Sequence, residues 1–184
     1  MRKSTMIEGA KLELVQGDLT SQNTDAVVNS ANRRLAPGVG VTGEIHDAAG
    51  PELYEECKRL GKIDIGEAVV TNGYRLPVNH IIHTVAPIYS GYEKDEGELR
   101  KSFRNSLKVA VENGVKSVSF PAINTVAYRY PVEKAADIAL DEIKRFLEEN
   151  DDIDVVRIVL SGEEDFMIHA EKFEEILEPS DMIE

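Results

Sequence analysis

The succession of two kinds of segment constrains this chain more than any other feature. Short runs rich in β-branched residues (KLELVQ, DAVVN, EAVVTN, HIIHTVA, SVSFP and VVRIVL) alternate with stretches of helical period over residues 43–60, 98–113, 131–149 and 164–178. Strands separated by helices join in parallel or mixed order, because a crossover helix returns the chain to the same end of the sheet and covers its face. The pattern therefore predicts an α/β fold. In PVEKAADIALDEIKRFLEEN, Pro131 suits a first helical turn, and Ala135, Ile138, Ile143, Phe146 and Leu147 share one face. The last helix places Phe166, Ala170, Phe173 and Leu177 at spacings of three and four behind an acidic start. Both helices are expected to be scaffold, and PSDMIE at the end a frayed tail.

The chain's 184 residues can bury a substantial core without staples, so one domain over residues 1–184 is expected, with its core at about 11–178. With 21 Lys and Arg against 34 Asp and Glu, the net charge of −13 opposes binding to nucleic acid or anionic membranes. No run approaches the ~20 apolar residues of a membrane span, and MRKSTMIEGA lacks the apolar segment of a signal peptide. A cytoplasmic protein without membrane attachment is the expectation. Cys57 is the sole cysteine, which excludes a disulfide framework and a thiolate-rich metal site and suggests a packed thiol. His80 and His83 fall on opposite faces of a regular strand, so no metal site is expected there.

Two loops have the placement of anion sites. Gly38, Gly40 and Gly43 cluster in LAPGVGVTGEIHDAAG, directly after DAVVNSAN and before a helix, where backbone N–H groups can meet a phosphate. The run lacks the Gly-Lys-Ser/Thr ending of a P-loop, and it fits G-x-G-x-x-G only nominally. The second loop, FPAINTVAYRYP at 120–131, follows an apolar strand and precedes a helix.

Taken in order, GDLT (17–20), DAVVNSAN (25–32), GVGVTGEIHDAAGPELYEEC (38–57), GEAVVTNGY (66–74), IIHTVAP (81–87) and SFPAINTVAYRYP (119–131) resemble the macro domain, an ADP-ribose-binding module. The resemblance implies a three-layer α/β/α sandwich around a central mixed six-stranded sheet, with an ADP-ribose cleft at the strand ends. It implies that Asp18, with Leu19 beside it, meets the adenine amino group; from the residues alone, Asp18 equally caps the turn that follows. Asn32 is implied to contact the distal ribose, whereas Asn29 is better read as holding its loop. Gly38, Gly40 and Val41 fall in the loop that approaches ribose and diphosphate, with Pro37 and Val39 where further glycines are usual.

Hydrolytic members of the family often carry Asp at the position of Thr42, and a threonine hydroxyl is not ionised at neutral pH. Asn32 and Thr42 are the candidate catalytic residues if turnover occurs, and His46 is expected to be helix scaffold. In the second loop Asn124, Thr125, Val126, Ala127, Tyr128 and Arg129 are implied to surround the diphosphate, with Val126 and Arg129 in place of two glycines. Val126 would be strained at positive φ, and Arg129 either compensates by bonding phosphate or points into solvent. Ser161-Gly162 stands where many members place an adenine-stacking aromatic, and Phe166 is read as core.

The leading expectation is a macro domain that binds ADP-ribose or an ADP-ribosylated small molecule or protein, with weak hydrolysis at the distal ribose or 1″-phosphate and no cofactor. The alternative is a degenerate macro domain serving as an interaction module. Binding of single-stranded RNA is opposed by the acidic balance.

Overall fold

The computed structural model describes residues 1–123 and 129–178. Seven strands form one sheet in the order β1-β2-β7-β6-β3-β5-β4. They are β1 (Arg2–Ile7), β2 (Ala10–Gln16), β3 (Ala26–Ser30), β4 (Ala68–Asn72), β5 (His80–Thr84), β6 (Ser117–Pro121) and β7 (Val155–Leu160). The inner strands β2, β7, β6, β3 and β5 run parallel, and the two edges β1 and β4 pair antiparallel to their neighbours. Five helices complete the fold: α1 (Val41–Ala49), α2 (Glu52–Leu60), α3 (Lys94–Glu112), α4 (Val132–Glu149) and α5 (Glu163–Leu177).

Alternation along the strands divides the core into two layers. Leu12 and Leu14 of β2 face a cluster closed by Leu99, Phe103, Ile143, Phe166 and Phe173, from α3, α4 and α5. Val15 and Val27 face the other side, where Ile45, Leu53 and Cys57 of α1 and α2 pack. The result is the expected α/β/α sandwich, and Phe166 lies in its core. Burial pushes the Cys57 thiol up to about 11, so it stays protonated.

The sheet has seven strands, which corrects the expectation of six. The added strand β1 is joined to β2 by the two-residue turn Glu8-Gly9, with φ of 48° and 88°, in the register Ile7 to Ala10. Both turn residues take the positive φ that tight hairpins favour. Only Ile7 of β1 is buried, so the strand adds almost nothing to the hydrophobic pattern. The helical stretch 43–60 is two helices, because Gly50 at φ 90° followed by Pro51 interrupts the backbone ladder. Residues 179–184, expected to be frayed, lie outside the described residues. No helix among those described is long and apolar enough to cross a membrane.

Candidate functional site

The carboxyl ends of β2, β6 and β7 open onto a cleft of about 810 Å³. Its lining includes Asp18 and Leu19 after β2, Pro121 and Ala122 after β6, Ser161 after β7, and Val41 and Glu44 at the start of α1. Parallel strands place a crevice there because the loops leaving their carboxyl ends diverge to opposite faces of the sheet.

Asp18 begins a 3₁₀ turn, Leu19–Ser21. Its Oδ1 accepts from the Thr20 backbone N–H at 2.9 Å and from the Thr20 hydroxyl at 2.8 Å. Those bonds, the hydroxyl first, hold the carboxyl below its usual range. Oδ2 accepts only from Ser21 Oγ at 3.2 Å among the described residues, which leaves lone pairs facing the cleft. The same residue thus caps its turn and keeps acceptor capacity. The loop is braced from below: Arg157 donates to buried Glu13 at 2.7 Å and to Gln22 Oε1 at 2.8 Å, and Gln22 donates to the Asp18 carbonyl at 2.9 Å.

After β3 the chain turns on Asn32. Its Oδ1 accepts from the N–H groups of Arg34 at 3.1 Å and Ala36 at 3.0 Å, while Nδ2 donates to the Ala36 carbonyl at 2.8 Å. Most of the carboxamide is therefore committed to its own loop, the role expected of Asn29. The remaining Asn32 N–H lies beside Gly38, since a Cβ built on Gly38 would stand 3.7 Å from Asn32 Nδ2 and 3.2 Å from Thr42 Cγ2. The structure brings Asn32, Gly38 and Thr42 together. Gly40, at φ 70°, precedes α1 and offers no side-chain cap, so the first N–H groups of the helix, including that of Val41, point out of its end. Gly43 is required by packing: a Cβ there would overlap the Gly38 carbonyl oxygen.

A buried polar chain lies behind this loop. Asn29 Nδ2 donates to Thr42 Oγ1 at 3.2 Å and to His83 Nδ1 at 3.1 Å. His83 Nε2 is 2.9 Å from Thr71 Oγ1, whose hydroxyl donates to the Asn72 carbonyl. The bonds fit one another only if His83 is neutral with its proton on Nε2, and burial, aided by nearby His46, pushes it down to about 3. His46 is buried in α1 with its ring edge-on to Tyr54 at 6.1 Å, which is a scaffold position. Neither its ring nitrogens nor Asn29 Oδ1 meet a partner among the described residues.

Asn124, Thr125, Val126, Ala127 and Tyr128 lie outside the described residues. Arg129 is exposed and takes φ 56°, a left-handed conformation that glycine adopts without strain. Tyr130, next in line, is buried against Tyr89 at 5.0 Å, and burial pushes its phenol up to about 12.

Four cleft residues were not among the site residues expected from the sequence. Glu44 and Asp47, one turn apart on α1, and Asp165 in the first turn of α5 add carboxylates to the walls, and Ser161 adds a hydroxyl. Acids in the first turn of a helix read as dipole partners, which hides any part they play in a cleft. Among the described residues no group of three or more His, Cys, Asp or Glu has the geometry of a metal site.

The macro domain family profile matches residues 28–139. A macro domain-containing protein of Methanosarcina mazei is 47% identical over 150 residues, covering 81% of this chain and 80% of that one. The ADP-ribose glycohydrolase MACROD2 of Xenopus laevis is 42% identical over 168 residues, covering 90% of this chain but 40% of its own length. A macrodomain of Oceanobacillus iheyensis, solved as a glycine-to-valine variant with ADPR, superposes with a TM-score of 0.93 at 40% identity, covering 97% of this chain and 100% of that one.

Proposed function

Since the chain belongs to the macro domain family, we propose that its cleft binds ADP-ribose or a related ADP-ribosyl derivative. The observation that carries this reading is the cleft of about 810 Å³ with Asp18 on one wall and the uncapped start of α1 on the other. A volume of that order accommodates a ligand of dinucleotide size. Asp18 Oδ2 accepts from the adenine amino group, the free N–H groups at the start of α1 receive the diphosphate, and the remaining Asn32 N–H reaches the distal ribose. The acid on the walls opposes the diphosphate, so the N–H groups at the start of α1 supply the attraction. The Oceanobacillus iheyensis relative holds ADPR in its structure, and the MACROD2 relative is named as a glycohydrolase of ADP-ribose.

Binding dominates and turnover is slow in this reading. Thr42 Oγ1 accepts the Asn29 amide, so the position that often carries a carboxylate in hydrolytic members presents no base here. Loss of a positioned base removes roughly 10²–10⁴-fold of rate.

Titration calorimetry tests the binding and an ester-hydrolysis assay the turnover. ADP-ribose should bind with a Kd at or below about tens of micromolar, and the absence of heat and of a thermal shift at millimolar ligand would refute the reading. Thr42→Asp, whose new carboxylate would lie beside Asn29 Nδ2, should raise hydrolysis of an ADP-ribosyl ester by roughly tenfold or more. No gain in a variant that still binds would show that position 42 does not limit turnover.

A further inference from the structure

Beside the Asn32 loop lies a small separate cavity, of about 200 Å³, lined by Arg33, Arg34, Lys62, Ile63 and Asp64. Its sign is opposite to that of the chain: three cations and one carboxylate in a protein of net charge −13. Arg33 Nη2 lies 3.4 Å from Asp64 Oδ1, a partial and exposed pairing. Arg34 and Lys62 have no carboxylate within 4.0 Å among the described residues.

The two segments that carry the cations are tied together through their backbones. The Ile63 N–H donates to the Arg33 carbonyl at 3.0 Å, which ties residues 62–64 to the loop. Asn32 clamps the Arg34 N–H at 3.1 Å, and Leu35, fully buried at φ 56°, anchors the turn beneath them. Arg33 and Arg34 are one and two residues beyond Asn32, so their Cα atoms stand within about 8 Å of its own. A group attached to a ribose at Asn32 is therefore close enough to reach the cavity's cations.

We infer that the Arg33–Arg34–Lys62 cavity is a subsite for carboxylates of an acidic polypeptide that carries the ADP-ribosyl group. The inference rests on the cleft binding ADP-ribose. It names the substrate class: a conjugate whose acidic flanking residues would otherwise be repelled by the chain's net charge and by Glu44, Asp47 and Asp165 on the cleft walls. The backbone bonds fix where the three side chains start, while ordering the exposed side chains themselves keeps the expected gain modest.

The test compares three probes by fluorescence anisotropy competition: ADP-ribose, ADP-ribose 1″-phosphate, and a synthetic peptide bearing one ADP-ribose between glutamates. A second peptide with glutamines in their place is the control. The glutamate conjugate should bind roughly three- to tenfold tighter than free ADP-ribose, as expected of a few exposed ion pairs. The gain should shrink as salt is raised.

In the triple variant Arg33→Gln, Arg34→Gln, Lys62→Gln the gain should vanish while affinity for free ADP-ribose stays the same. Equal binding of the glutamate and glutamine conjugates would overturn the inference and leave the ADP-ribose reading intact. An equal gain for the 1″-phosphate, lost in the same variant, would overturn the polypeptide assignment in favour of a small anion. Failure of ADP-ribose itself to bind would remove the premise and the inference together.

Discussion

Gly43→Ala separates loop geometry from helix stability. Gly43 is the third residue of α1, and a Cβ on it would come inside 3.0 Å of the Gly38 carbonyl oxygen, closer than real Cβ atoms come to a neighbour, with the carbonyl carbon at 3.3 Å. Normal contact requires the oxygen to retreat by on the order of 1 Å. Gly38 is backbone with Thr42 Cγ2 and Asn32 Nδ2 beside it, so the whole first loop must move rather than one rotamer. Alanine in place of glycine favours a helix interior by about 1 kcal/mol, and local overpacking costs about 1–3 kcal/mol. The net loss of stability should be small, about 0–2 kcal/mol.

The ribose and diphosphate contacts, by contrast, tolerate a displacement of about 1 Å poorly, and affinity for ADP-ribose should fall by roughly tenfold to a hundredfold. Gly97→Ala is the internal control, because Gly97 lies inside α3 and a Cβ there meets nothing within 4 Å. It should stabilise by about 0.5–1 kcal/mol, or a Tm gain of about 1–4 °C, and leave binding unchanged. Urea denaturation and calorimetry on both variants give the answer. Unchanged ADP-ribose affinity in Gly43→Ala would refute the argument that this contact sets the loop.

Two further outcomes follow from groups held away from their ordinary states. Arg129 keeps a left-handed backbone at φ 56°, so Arg129→Gly should raise stability by about 0.5–1 kcal/mol, and a lower melting temperature would show that the conformation is unstrained. His83 is neutral when folded, with its pKa lowered from 6.5 to about 3, so the unfolded chain takes up a proton first as pH falls. Its contribution is complete above about pH 6.5 and is lost at roughly 1.4 kcal/mol per pH unit below that, or about 2 kcal/mol between pH 7 and 5. Buried His46 and His169, also lowered by burial, act in the same direction, whereas Asp18 and Glu13, held low, lose their contributions only below the usual carboxylate range. Urea midpoints at the two pH values should differ in the parent and by less in His83→Gln, where His46 and His169 still contribute, and a parent stability flat across that window would contradict the buried neutral imidazole.

The layered fold was legible because each inner strand is buried on both faces and each helix on one, which local composition records directly. Strand β1 was not, because an edge strand with Lys3 and Thr5 on its inner face has too little buried apolar surface to register. Its one readable trace is the Glu8-Gly9 turn between residues that alternate.

The site divides in the same way. The glycine cluster at Gly38 and Gly40, between a strand-like run and a helix, was legible from local pattern, since turn chemistry is a property of neighbouring residues, whereas Asp18, Asn32 and Thr42 stood out only through the resemblance to the macro domain. Only the tertiary structure decided how each polar group spends its bonds. Asn32 folds onto Ala36, Asn29 reaches across to Thr42 and His83, and Asp165 of α5 arrives in the cleft opposite Glu44 of α1. The Arg33, Arg34 and Lys62 cavity belongs to the same class, because nothing in the local pattern of either segment records that a backbone bond from Ile63 to Arg33 joins them. Periodicity reports how deeply a segment is buried; which distant segment it is buried against depends on the closure of the whole sheet.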